Sequence, residues 1–558
     1  MAARADLHVH SKHSNRPTEW LLRQVGAPES FTEPREIYRR CRERGMQYVT
    51  ISDHDSIDGA LEIQHLPGTF ISSEVTVELP EDGCEIHVLV FGISERQHRD
   101  LQEIRKNVYE VRDYIRDQGI AHSVAHPLFR VNERLTLDQV GKLLVLFDRF
   151  EALNGMHDRR ANDLVRRIFG SLTREVVEDL AERHRIEPFG PTPWIKAFTG
   201  GSDDHSGLYP GATYTRTPDA ATVDELLGHL RAGRHEPGGD TGSSARLLQS
   251  LYTISYEFYR RQLPFGLDCR KDPFSMLLRG LAEARDPRPR WRLWNRPAVQ
   301  PAEQATFGSA SRASQKHLAR MLRDFVRHAR RGRLMEGLAA VSQLAPLALS
   351  VAPYLVAVHS LHKDADLLDA ASERFLGRRL EGRSGKRAWL TDSLSAADGM
   401  ARLFPEVEAL TCAAPAVRTA LPVHRFPARM QVPLPGWERR KLAIPPLLEV
   451  IDRCESERYA EIFISTPGPL GLLGLAAGKL LGIPVSAVWQ EDVPARVHAV
   501  SGSATLAEMT WMYLRWLFGQ AERIWVPSQR ERETLIARGF DSARLAMVAP
   551  KRSWRPAA

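Results

Sequence analysis

Near its start the chain reads Asp6-Leu7-His8-Val9-His10. In a β-strand, side chains two residues apart point to the same face, so His8 and His10 can present both imidazoles to one metal ion. A single pair of this kind is a weak signal, because a strand histidine is more often buried and hydrogen-bonded than bound to metal. The pair gains weight only from other histidines and acids along the chain.

Several such residues follow at the ends of other strand-like runs. Asp53 and His54 close a run that begins at Tyr48. Barrel enzymes place their active sites at the C-terminal ends of their strands, so this position favours chemistry over packing. Taken together, the later candidates favour one shared site over a separate structural role for each residue. They are Glu74, His87, His126, Asp203 and His205.

The first 240 residues alternate short β-like runs with helix-like segments. This alternation predicts a parallel α/β or barrel architecture. The stretch from Gly238 to Ser244 is rich in glycine and serine, and we interpret it as a linker that ends the first domain. The strand-like runs cover residues 48–52, 70–72, 86–91 and 120–124.

The ordered motifs resemble the PHP family, named after polymerase and histidinol phosphatase domains. An HxH strand, a (S/T)DH(D/N) strand end, a glutamate, a histidine, an AHP motif and a final SDxH appear in this order within residues 1–240. The resemblance implies a distorted (β/α)7 barrel with a bi- or trinuclear metal site. The ligands that it implies are His8, His10, His54, Glu74, His87, His126, Asp203 and His205.

One position departs from the family pattern. Asn15 stands where many relatives carry a metal-binding aspartate or histidine, and His13 is the substitute that the neighbouring sequence offers. We place Asp53 and His122 behind the ligands, because a ligating imidazole needs a carboxylate or carbonyl to fix its tautomer.

The ligand types indicate both the metal and the reaction. Imidazole combined with carboxylate suits zinc, manganese or iron. Ions about 3.5–4 Å apart can share a hydroxide and hold a phosphate in line for attack. We therefore expect two or three divalent ions and hydrolysis of a small phosphoester, with the bridging hydroxide attacking phosphorus. The predicted catalytic residues are Asp53, together with Lys12 and Arg130, which follow motif ends and can neutralise phosphate.

Residues 245–380 read as a helical insert. A basic amphipathic helix over 312–333 carries arginine or lysine at steps of three and four. Either this face is solvated and the helix packs on a neighbouring domain, which we favour, or it docks on anionic lipid headgroups. Residues 337–360 hold no Asp, Glu, Lys or Arg, but Pro346 and Pro353 favour a buried helical hairpin over a membrane span.

Residues 385–558 follow the order of a doubly wound sheet. Strand-like runs at 388–390, 460–466 and 484–489 surround a glycine turn and a small-residue helix. The segments 464–471, 478–484 and 523–528 resemble the N-terminal, acceptor-side half of a family 4 GT-B glycosyltransferase. Of the residues usual after the second strand, this chain keeps only Asp492. The resemblance implies a Rossmann-like half that contacts a sugar acceptor.

Because the chain ends at Ala558, where the donor-binding half would begin, we expect no sugar transfer by this polypeptide alone. The main hypothesis is a PHP-type metallophosphoesterase joined to a degenerate transferase half. Two alternatives stay open. The chain is a group 1 or family 4 glycosyltransferase that needs a missing C-terminal half, or it is a non-catalytic binding protein stabilised by metal.

Composition is compatible with each of these hypotheses. The chain has 558 residues, 43% of them hydrophobic, and a net charge of +7, which suits anionic substrates without requiring a nucleic-acid partner. Five scattered cysteines form neither a disulfide framework nor a CxxC metal site. No apolar signal segment opens the sequence, so we expect a cytoplasmic protein, with peripheral membrane contact only through residues 312–333.

Overall fold

A computed structural model describes residues 2–14, 28–262, 302–330, 344–378, 384–395, 397–404, 406–413, 421–428, 430–433 and 441–547. The chain divides into two compact units. The N-terminal unit comprises Met1–Phe307 and Lys363–Leu380, and the C-terminal unit comprises Gly308–His362 and Glu381–Ala558. The expected insert over 245–380 is therefore shared between the two units.

Two sheets form the N-terminal unit. Isolated bridges join Val9 to Asp204, Val49 to Thr69 and His54 to Glu74. The sheet orders are β2-β1-β8-β9 and β3-β4-β5-β6-β7. The strands are β1 (Ala3–Asp6), β2 (Tyr48–Val49), β3 (Ser72–Leu79), β4 (Cys84–Phe91), β5 (Ala121–Val124), β6 (Arg149–Asn154), β7 (Ala197–Gly201), β8 (Thr213–Thr217) and β9 (Glu236–Gly239).

The strand pairing in this unit is mixed. β1 pairs in parallel with β2, and β5, β6 and β7 run parallel, whereas β4 is antiparallel to both β3 and β5. Both predicted classes of segment, short strands and intervening helices, are present, so the α/β class is confirmed. The distorted (β/α)7 barrel stays a prediction.

The helices up to residue 376 begin at polar caps in several places. Ser94 with Gln97, and Thr136 with Gln139, form capping boxes that satisfy free backbone N–H groups. The helices are α1 (Pro34–Glu43), α2 (Asp58–Ile63), α3 (Glu95–Ile104), α4 (Val108–Asp117), α5 (Leu137–Leu146), α6 (Arg159–Gly170), α7 (Arg174–His184), α8 (Val223–Arg231), α9 (Ser244–Gln262), α10 (Ala302–Arg330), α11 (Leu344–His362) and α12 (Ala365–Leu376).

The main core of the N-terminal unit lies between the five-stranded sheet and its helices. Val88, Leu144 and Phe150 are fully buried there, and Leu367 and Leu368 of α12 belong to the same hydrophobic cluster. Burying a leucine side chain stabilises a fold by about 1.5–3 kcal/mol. These contacts explain why Lys363–Leu380, far away in sequence, completes the N-terminal unit.

The predicted linker at 238–244 is part of the folded unit. Gly238 and Gly239 lie in β9, which pairs with β8, and α9 continues the unit from Ser244. A Cβ on Gly238 would lie 2.9 Å from the Tyr214 ring, and one on Gly239 would lie 2.2 Å from the Ala212 carbonyl oxygen. The glycines therefore serve close packing, not flexibility.

The C-terminal unit is built on a seven-stranded parallel sheet of order β12-β11-β10-β15-β16-β17-β18. Its strands are β10 (Arg387–Leu390), β11 (Val407–Thr411), β12 (Val423–Arg425), β15 (Glu461–Ile464), β16 (Val485–Val488), β17 (Arg523–Val526) and β18 (Leu545–Met547), with a separate hairpin of β13 (Met430–Pro433) and β14 (Lys441–Ile444). The predicted doubly wound strand order is confirmed in its parallel sheet.

Helices connect the parallel strands. α15 follows the glycine turn at Gly468 and carries Pro469 in its first turn, where a missing N–H group is tolerated. The helices are α13 (Ala397–Leu403), α14 (Leu447–Glu457), α15 (Pro469–Leu481), α16 (Val493–Ser501), α17 (Ala504–Gly519) and α18 (Gln529–Ala537).

The predicted basic helix is part of α10. Its residues Arg312, Lys316, Arg320 and Arg323 are exposed, and Ser311 on the buried side donates a 3.0 Å hydrogen bond to Glu449 of α14. This is the arrangement expected for a solvated basic face. Lipid docking by 312–333 stays a prediction, and residues 331–333 lie outside the described residues.

The apolar segment 337–360 is described from residue 344 onward. Tyr354, Ala357 and Val358 of α11 are buried. Among the helices of the described residues, none combines the length and the hydropathy needed to cross a bilayer. The cysteines at 41, 84, 412 and 454 are buried free thiols, and Cys269 lies outside the described residues.

Candidate metal centre

The eight predicted ligands lie together in the N-terminal unit. His8 and His10 directly follow β1, His54 follows β2, and Glu74 and His87 lie on β3 and β4. His126 follows β5, while Asp203 and His205 follow β7. One difference concerns β3, which starts at Ser72 and includes Glu74, although the sequence predicted a strand ending before it.

Glu74 is the centre of the cluster. Its Oε2 lies 3.1 Å from Nε2 of His8, 3.1 Å from Nδ1 of His54 and 3.2 Å from Nε2 of His10. Its Oε1 lies 2.8 Å from Nδ1 of His87 and 3.2 Å from Nε2 of His126. A single fully buried carboxylate thus faces five imidazoles.

Asp203 provides a second carboxylate, which faces the same Nε2 atoms of His8 and His10 as Glu74 does. Its Oδ1 lies 3.3 Å from Nε2 of both His8 and His10, and 3.7 Å from Nδ1 of His205. Asn154 donates a 3.0 Å hydrogen bond to the other oxygen, Oδ2. The donor Asn154 therefore fixes the carboxylate with Oδ1 directed at the histidines.

The cluster contains buried polar atoms that have no hydrogen bond among the described residues, as is expected of metal ligands. Nε2 of His8, Nε2 of His10, Oε2 of Glu74, Nδ1 of His87 and Nε2 of His205 are all buried and lack a hydrogen bond of acceptable geometry. Such groups are costly unless paired or coordinated. Four groups of three residues have ligand atoms within 4.8 Å of one another, and together they comprise His8, His10, His54, Glu74, His87, His126, Asp203 and His205. The residues fit divalent ions.

The electrostatics of the cluster are strongly coupled. Burial by itself raises the pKa of Glu74, but the imidazoles of His8, His54 and His87 outweigh it and hold that pKa well below its usual value. Asp203 behaves in the same way, with its pKa held well below the usual value chiefly by His8. Both carboxylates are therefore ionised and available as ligands at neutral pH.

Two residues behind the ligands fix imidazole orientation. Glu151 of β6 lies 2.9 Å from Nδ1 of His8, so Nε2 of that ring faces the cluster. Ser14 lies 2.9 Å from Nδ1 of His10. Glu151 was not predicted, although an acid inside the apolar run of β6 was a readable signal. Ser14 follows the HxH pair by four residues but carried no assigned role.

Close backbone packing also places the ligands. A Cβ on Gly201 would lie 2.2 Å from Cβ of His8 and 2.8 Å from its backbone nitrogen. His126 and Asp203 adopt φ values of +27° and +50°. Left-handed backbone at non-glycine residues is uncommon and concentrates at functional sites, where the surrounding structure holds it.

The cluster contains two further residues that sequence reasoning missed. His157 stacks on His126 with ring centroids 5.2 Å apart, and its Nε2 lies 3.9 Å from Oδ2 of Asp203. Glu29 faces His54 and His205, with its oxygens 3.2 and 3.6 Å from their Nε2 atoms. His157 comes three residues after the end of β6 but belongs to no recognised motif, and Glu29 directly follows none of the described strands.

The three predicted catalytic residues have other partners. Both oxygens of the Asp53 carboxylate accept hydrogen bonds from Ser11, at 2.6 and 2.7 Å. Lys12 pairs with Glu33 at 2.7 Å and with Glu62 at 3.2 Å. Asp53 therefore holds the loop after β1 through Ser11, and Lys12 of that loop is paired with two carboxylates.

Arg130 lies in the loop that follows His126 and is held by a two-pronged ion pair. Its Nη1 and Nη2 donate to the two oxygens of Asp366 at 2.7 and 2.8 Å. Lys363 donates to the Arg130 carbonyl oxygen at 2.6 Å. Phosphate binding by Lys12 and Arg130 stays a prediction, in which the phosphate would compete with these carboxylates.

The remaining expectations concern residues beside the motifs. His13 lies 2.7 Å from Glu62, away from the ligands. His122 contacts the Ile120 carbonyl oxygen, the Asp148 carboxylate at 3.5 Å and the Phe147 ring. The structure therefore does not bring His13 or His122 to the cluster. Asn15 lies outside the described residues.

The C-terminal unit has a polar edge at the carboxyl ends of β10 and β15, where the strand order reverses. Thr466 donates a 2.7 Å hydrogen bond to Oδ2 of Asp392, and the Leu470 N–H at the start of α15 lies 3.4 Å from Oδ1. Burial raises the pKa of Asp392 to about 6. Asp492 caps α16 by accepting a hydrogen bond from the Ala495 N–H.

The comparisons with known proteins concern both units. Residues 391–551 match a family described as a glycosyl transferase 4-like domain. The GDP-mannose-dependent alpha-mannosyltransferase of Mycobacterium tuberculosis is 32% identical over 120 residues, 21% of this chain and 30% of that protein. The uncharacterized protein MJ1587 of Methanocaldococcus jannaschii is 37% identical over 67 residues, 12% of this chain and 37% of that protein. The chain thus spans about a third of the length of each relative.

Two solved structures show a more distant similarity. Anabaena Alr3699/HepE in complex with UDP-glucose is 17% identical, with a TM-score of 0.21 over 29% of this chain and 43% of that one. A protein of Bifidobacterium adolescentis described as a metal-dependent phosphoesterase is 15% identical, with a TM-score of 0.24 over 41% of this chain and 96% of that one. Similarity at this level carries no argument about either unit.

Proposed function

We propose that this chain acts in sugar transfer through its C-terminal unit. The family match over residues 391–551 and the similarity to a GDP-mannose-dependent alpha-mannosyltransferase support this proposal directly. Ligands of parallel α/β sheets bind at the carboxyl ends of the strands where the strand order reverses. In this unit that edge carries Asp392 and Thr466. We propose it as the binding edge for a sugar acceptor or a nucleotide sugar.

The transfer proposal is tested with the full chain. Labelled GDP-mannose or UDP-glucose is incubated with sugar and lipid acceptors, and the products are separated. In contrast to the expectation from the sequence, the family match leads us to expect transfer to at least one acceptor. We expect its loss in Gly468→Ala, because a Cβ there would lie 2.3 Å from Oδ2 of Asp392. Gly519→Ala, with open space around its Cβ, is the matched control. No transfer from either donor by the wild-type chain would contradict the proposal.

A second function, metal-dependent phosphoester hydrolysis, is proposed for the N-terminal unit. The observation that carries it is the convergence of buried imidazole and carboxylate atoms that lack hydrogen bonds. The cluster and its immediate surroundings hold four carboxylates, Glu29, Glu74, Glu151 and Asp203. When the histidines are neutral and no metal ion is bound, these charges would repel a phosphate. Divalent ions remove that repulsion, so the site suits an anionic substrate only when loaded.

The residues divide the work of such a site. When bound, divalent ions supply activation of water and neutralisation of charge on the phosphoester. Glu74 and Asp203, both ionised, would hold the ions together with Nε2 of His8 and Nε2 of His10, which both carboxylates face. Glu151 accepts the Nδ1 proton of His8 and keeps Nε2 directed inward. The structure keeps these groups buried, so they need little reorganisation during the reaction.

The hydrolysis proposal is tested by loading the purified chain with zinc, manganese or iron and measuring phosphate release from a panel of phosphomonoesters and phosphodiesters. We expect activity with at least one ion and one substrate, and its loss in the double variant His8→Ala/Asp203→Ala. His65→Ala, on an exposed side chain outside the cluster, is the control. Full activity in the double variant would refute the proposal. Metal bound without any hydrolysis would favour a stabilising role.

A further inference from the structure

We propose that Glu29 is a metal ligand that completes a third ion site with His54 and His205. The inference rests on the proposed metal-dependent function of the N-terminal unit and adds a residue to it. The sequence motifs do not point to Glu29, because it lies between them, in the segment that precedes the start of α1 at Pro34. Its assignment comes from geometry alone.

The carboxylate of Glu29 faces both histidines from the buried side of the cluster. Oε2 lies 3.2 Å from Nε2 of His54, and Oε1 lies 3.6 Å from Nε2 of His205. The Glu29 side chain is 4% exposed. The ligand atoms of His54 and His205 also lie within 4.8 Å of one another and of those of His10. An ion bound to Nε2 of His54 and Nε2 of His205 would therefore have the Glu29 carboxylate as a neighbour.

The orientation of the His205 ring indicates that Glu29 is a metal ligand and not a residue that only orients the ring. Nδ1 of His205 lies 3.0 Å from the Asp203 carbonyl oxygen, so the Nδ1–H donates there and leaves the lone pair on Nε2. Nε2 is buried without a hydrogen bond and faces Glu29. A carboxylate that only oriented this ring would face Nδ1, as Glu151 does in His8.

His54 also directs its Nε2 at Glu29, although its Nδ1 faces a carboxylate and not a backbone carbonyl. Its Nδ1 faces Oε2 of Glu74 at 3.1 Å, and its Nε2 faces Oε2 of Glu29 at 3.2 Å. The ring therefore lies between the central carboxylate and Glu29. Two imidazole nitrogens and one carboxylate form a ligand set suited to zinc, manganese or iron.

The backbone around Glu29 is fixed against the first motif. Ser30 donates to the His10 carbonyl oxygen at 3.3 Å, and the Lys12 N–H donates to the Thr32 carbonyl oxygen at 2.9 Å. A Cβ on Gly207 would lie 2.6 Å from the Thr32 hydroxyl, so the segment after His205 also approaches closely. The elements that carry the proposed ligands thus hold Glu29 in place.

The experiment measures metal content, not activity. Full-length wild type, Glu29→Gln, His205→Ala and the double variant are saturated with Mn²⁺ or Zn²⁺, freed of excess metal and analysed by mass spectrometry of the elements. We expect three ions per chain in the wild type and two in each variant, with no further loss in the double variant. Glu33→Gln, a neighbouring exposed acid that pairs with Lys12, is the control and keeps three.

The outcomes separate this inference from the proposed function. Three ions in Glu29→Gln, or only two in the wild type, overturn the inference and leave hydrolysis standing. No bound metal in the wild type overturns both. If Glu29→Gln fails to fold by circular dichroism, Glu29→Asp serves instead. We expect it to weaken the affinity for one ion by about 10- to 100-fold and to leave the other two unchanged.

Discussion

The Glu151 carboxylate lies 2.9 Å from Nδ1 of His8, and this contact sets which nitrogen of His8 faces the candidate metal centre. The same carboxylate accepts hydrogen bonds through Oε2 from the His126 N–H and from the Asn154 side chain. Glu151 is thus a positioning residue shared by two predicted ligands and by Asn154, which also donates to Asp203.

Replacing this carboxylate by an amide tests its positioning role. Glu151→Gln keeps the shape but weakens the bond that fixes the His8 tautomer. We expect a loss of about 10- to 100-fold in metal affinity, measured by competition with a chelating dye, with an unchanged circular dichroism spectrum. Glu85→Gln, on β4, is the control and should bind metal like the wild type. An unchanged affinity in Glu151→Gln would exclude the positioning role.

A glycine next to His8 offers a steric test. In Gly201→Ala the new methyl would lie 2.2 Å from Cβ of His8, so β7 and the first motif must separate. We expect destabilisation of about 1–3 kcal/mol, from urea unfolding, together with weaker metal binding. Gly228→Ala in α8 has open space around its Cβ and should be neutral or slightly stabilising. Equal stability of the two variants would contradict the close approach.

Metal removal should destabilise the N-terminal unit. Because ions bind the folded cluster and not the unfolded chain, each site filled at about 100 times its dissociation constant adds about 2.7 kcal/mol to the free energy of unfolding. We expect a lower unfolding temperature after chelation and its recovery on adding Mn²⁺ or Zn²⁺, measured by calorimetry. The variant Glu74→Gln should show a much smaller response. A wild-type unfolding temperature independent of metal would argue against the centre.

The C-terminal unit should show a pH dependence that comes from Asp392. Its pKa is raised from 3.8 to about 6, so between these values the folded state keeps a proton that the unfolded state releases. The stability contribution is greatest below pH 4 and is lost as the pH rises through 6, by on the order of 3 kcal/mol. Asp392→Asn should lack this decline.

The measurement for Asp392 compares urea unfolding of wild type and Asp392→Asn between pH 4 and pH 7, followed by tryptophan fluorescence. Because all other carboxylates titrate in both proteins, the difference between the two curves isolates Asp392. Parallel curves would show that burial does not disfavour the charged carboxylate at this edge.

A core residue of α12 tests the division of the chain. Leu367 is buried in the core of the N-terminal unit, so Leu367→Ala should destabilise that unit by about 2–5 kcal/mol. The exposed Glu373 of the same helix provides the control substitution Glu373→Ala. Limited proteolysis should detect faster cleavage within residues 2–262 of the leucine variant only. An unchanged cleavage rate in Leu367→Ala would show that α12 does not stabilise the N-terminal unit.

The sequence was most informative where side chains follow strands. The ligands His8, His10, His54, His126, Asp203 and His205 lie next to short strands, and their spacing of two residues or their motif makes them recognisable from the amino-acid sequence. Glu29 lies in a stretch with no periodic pattern, so its approach to the cluster depends on tertiary contacts alone. Glu151 was within reach, because a charged residue in a buried strand requires a partner.

Other predictions failed to anticipate partners and packing. Composition cannot tell that Gly238 and Gly239 allow strands to pack closely, since flexible linkers use the same residues. Likewise the charge of Arg130 is readable, but its pairing with Asp366 joins residues 236 positions apart. In the C-terminal unit, alternation of strands and helices sufficed for the parallel sheet, because most neighbouring strands there also follow one another along the chain.

The N-terminal unit includes residues that are synthesised after part of the C-terminal unit. Its helix α12 and the Asp366 partner of Arg130 come after Gly308–His362, a stretch of the C-terminal unit. During synthesis, the part of the apolar core that α12 covers therefore stays exposed in the first 307 residues until residue 380 has been made. Domains generally fold as units during synthesis. The N-terminal unit therefore completes its core only after Gly308–His362 of the C-terminal unit has been synthesised, which ties the maturation of the two units together in time.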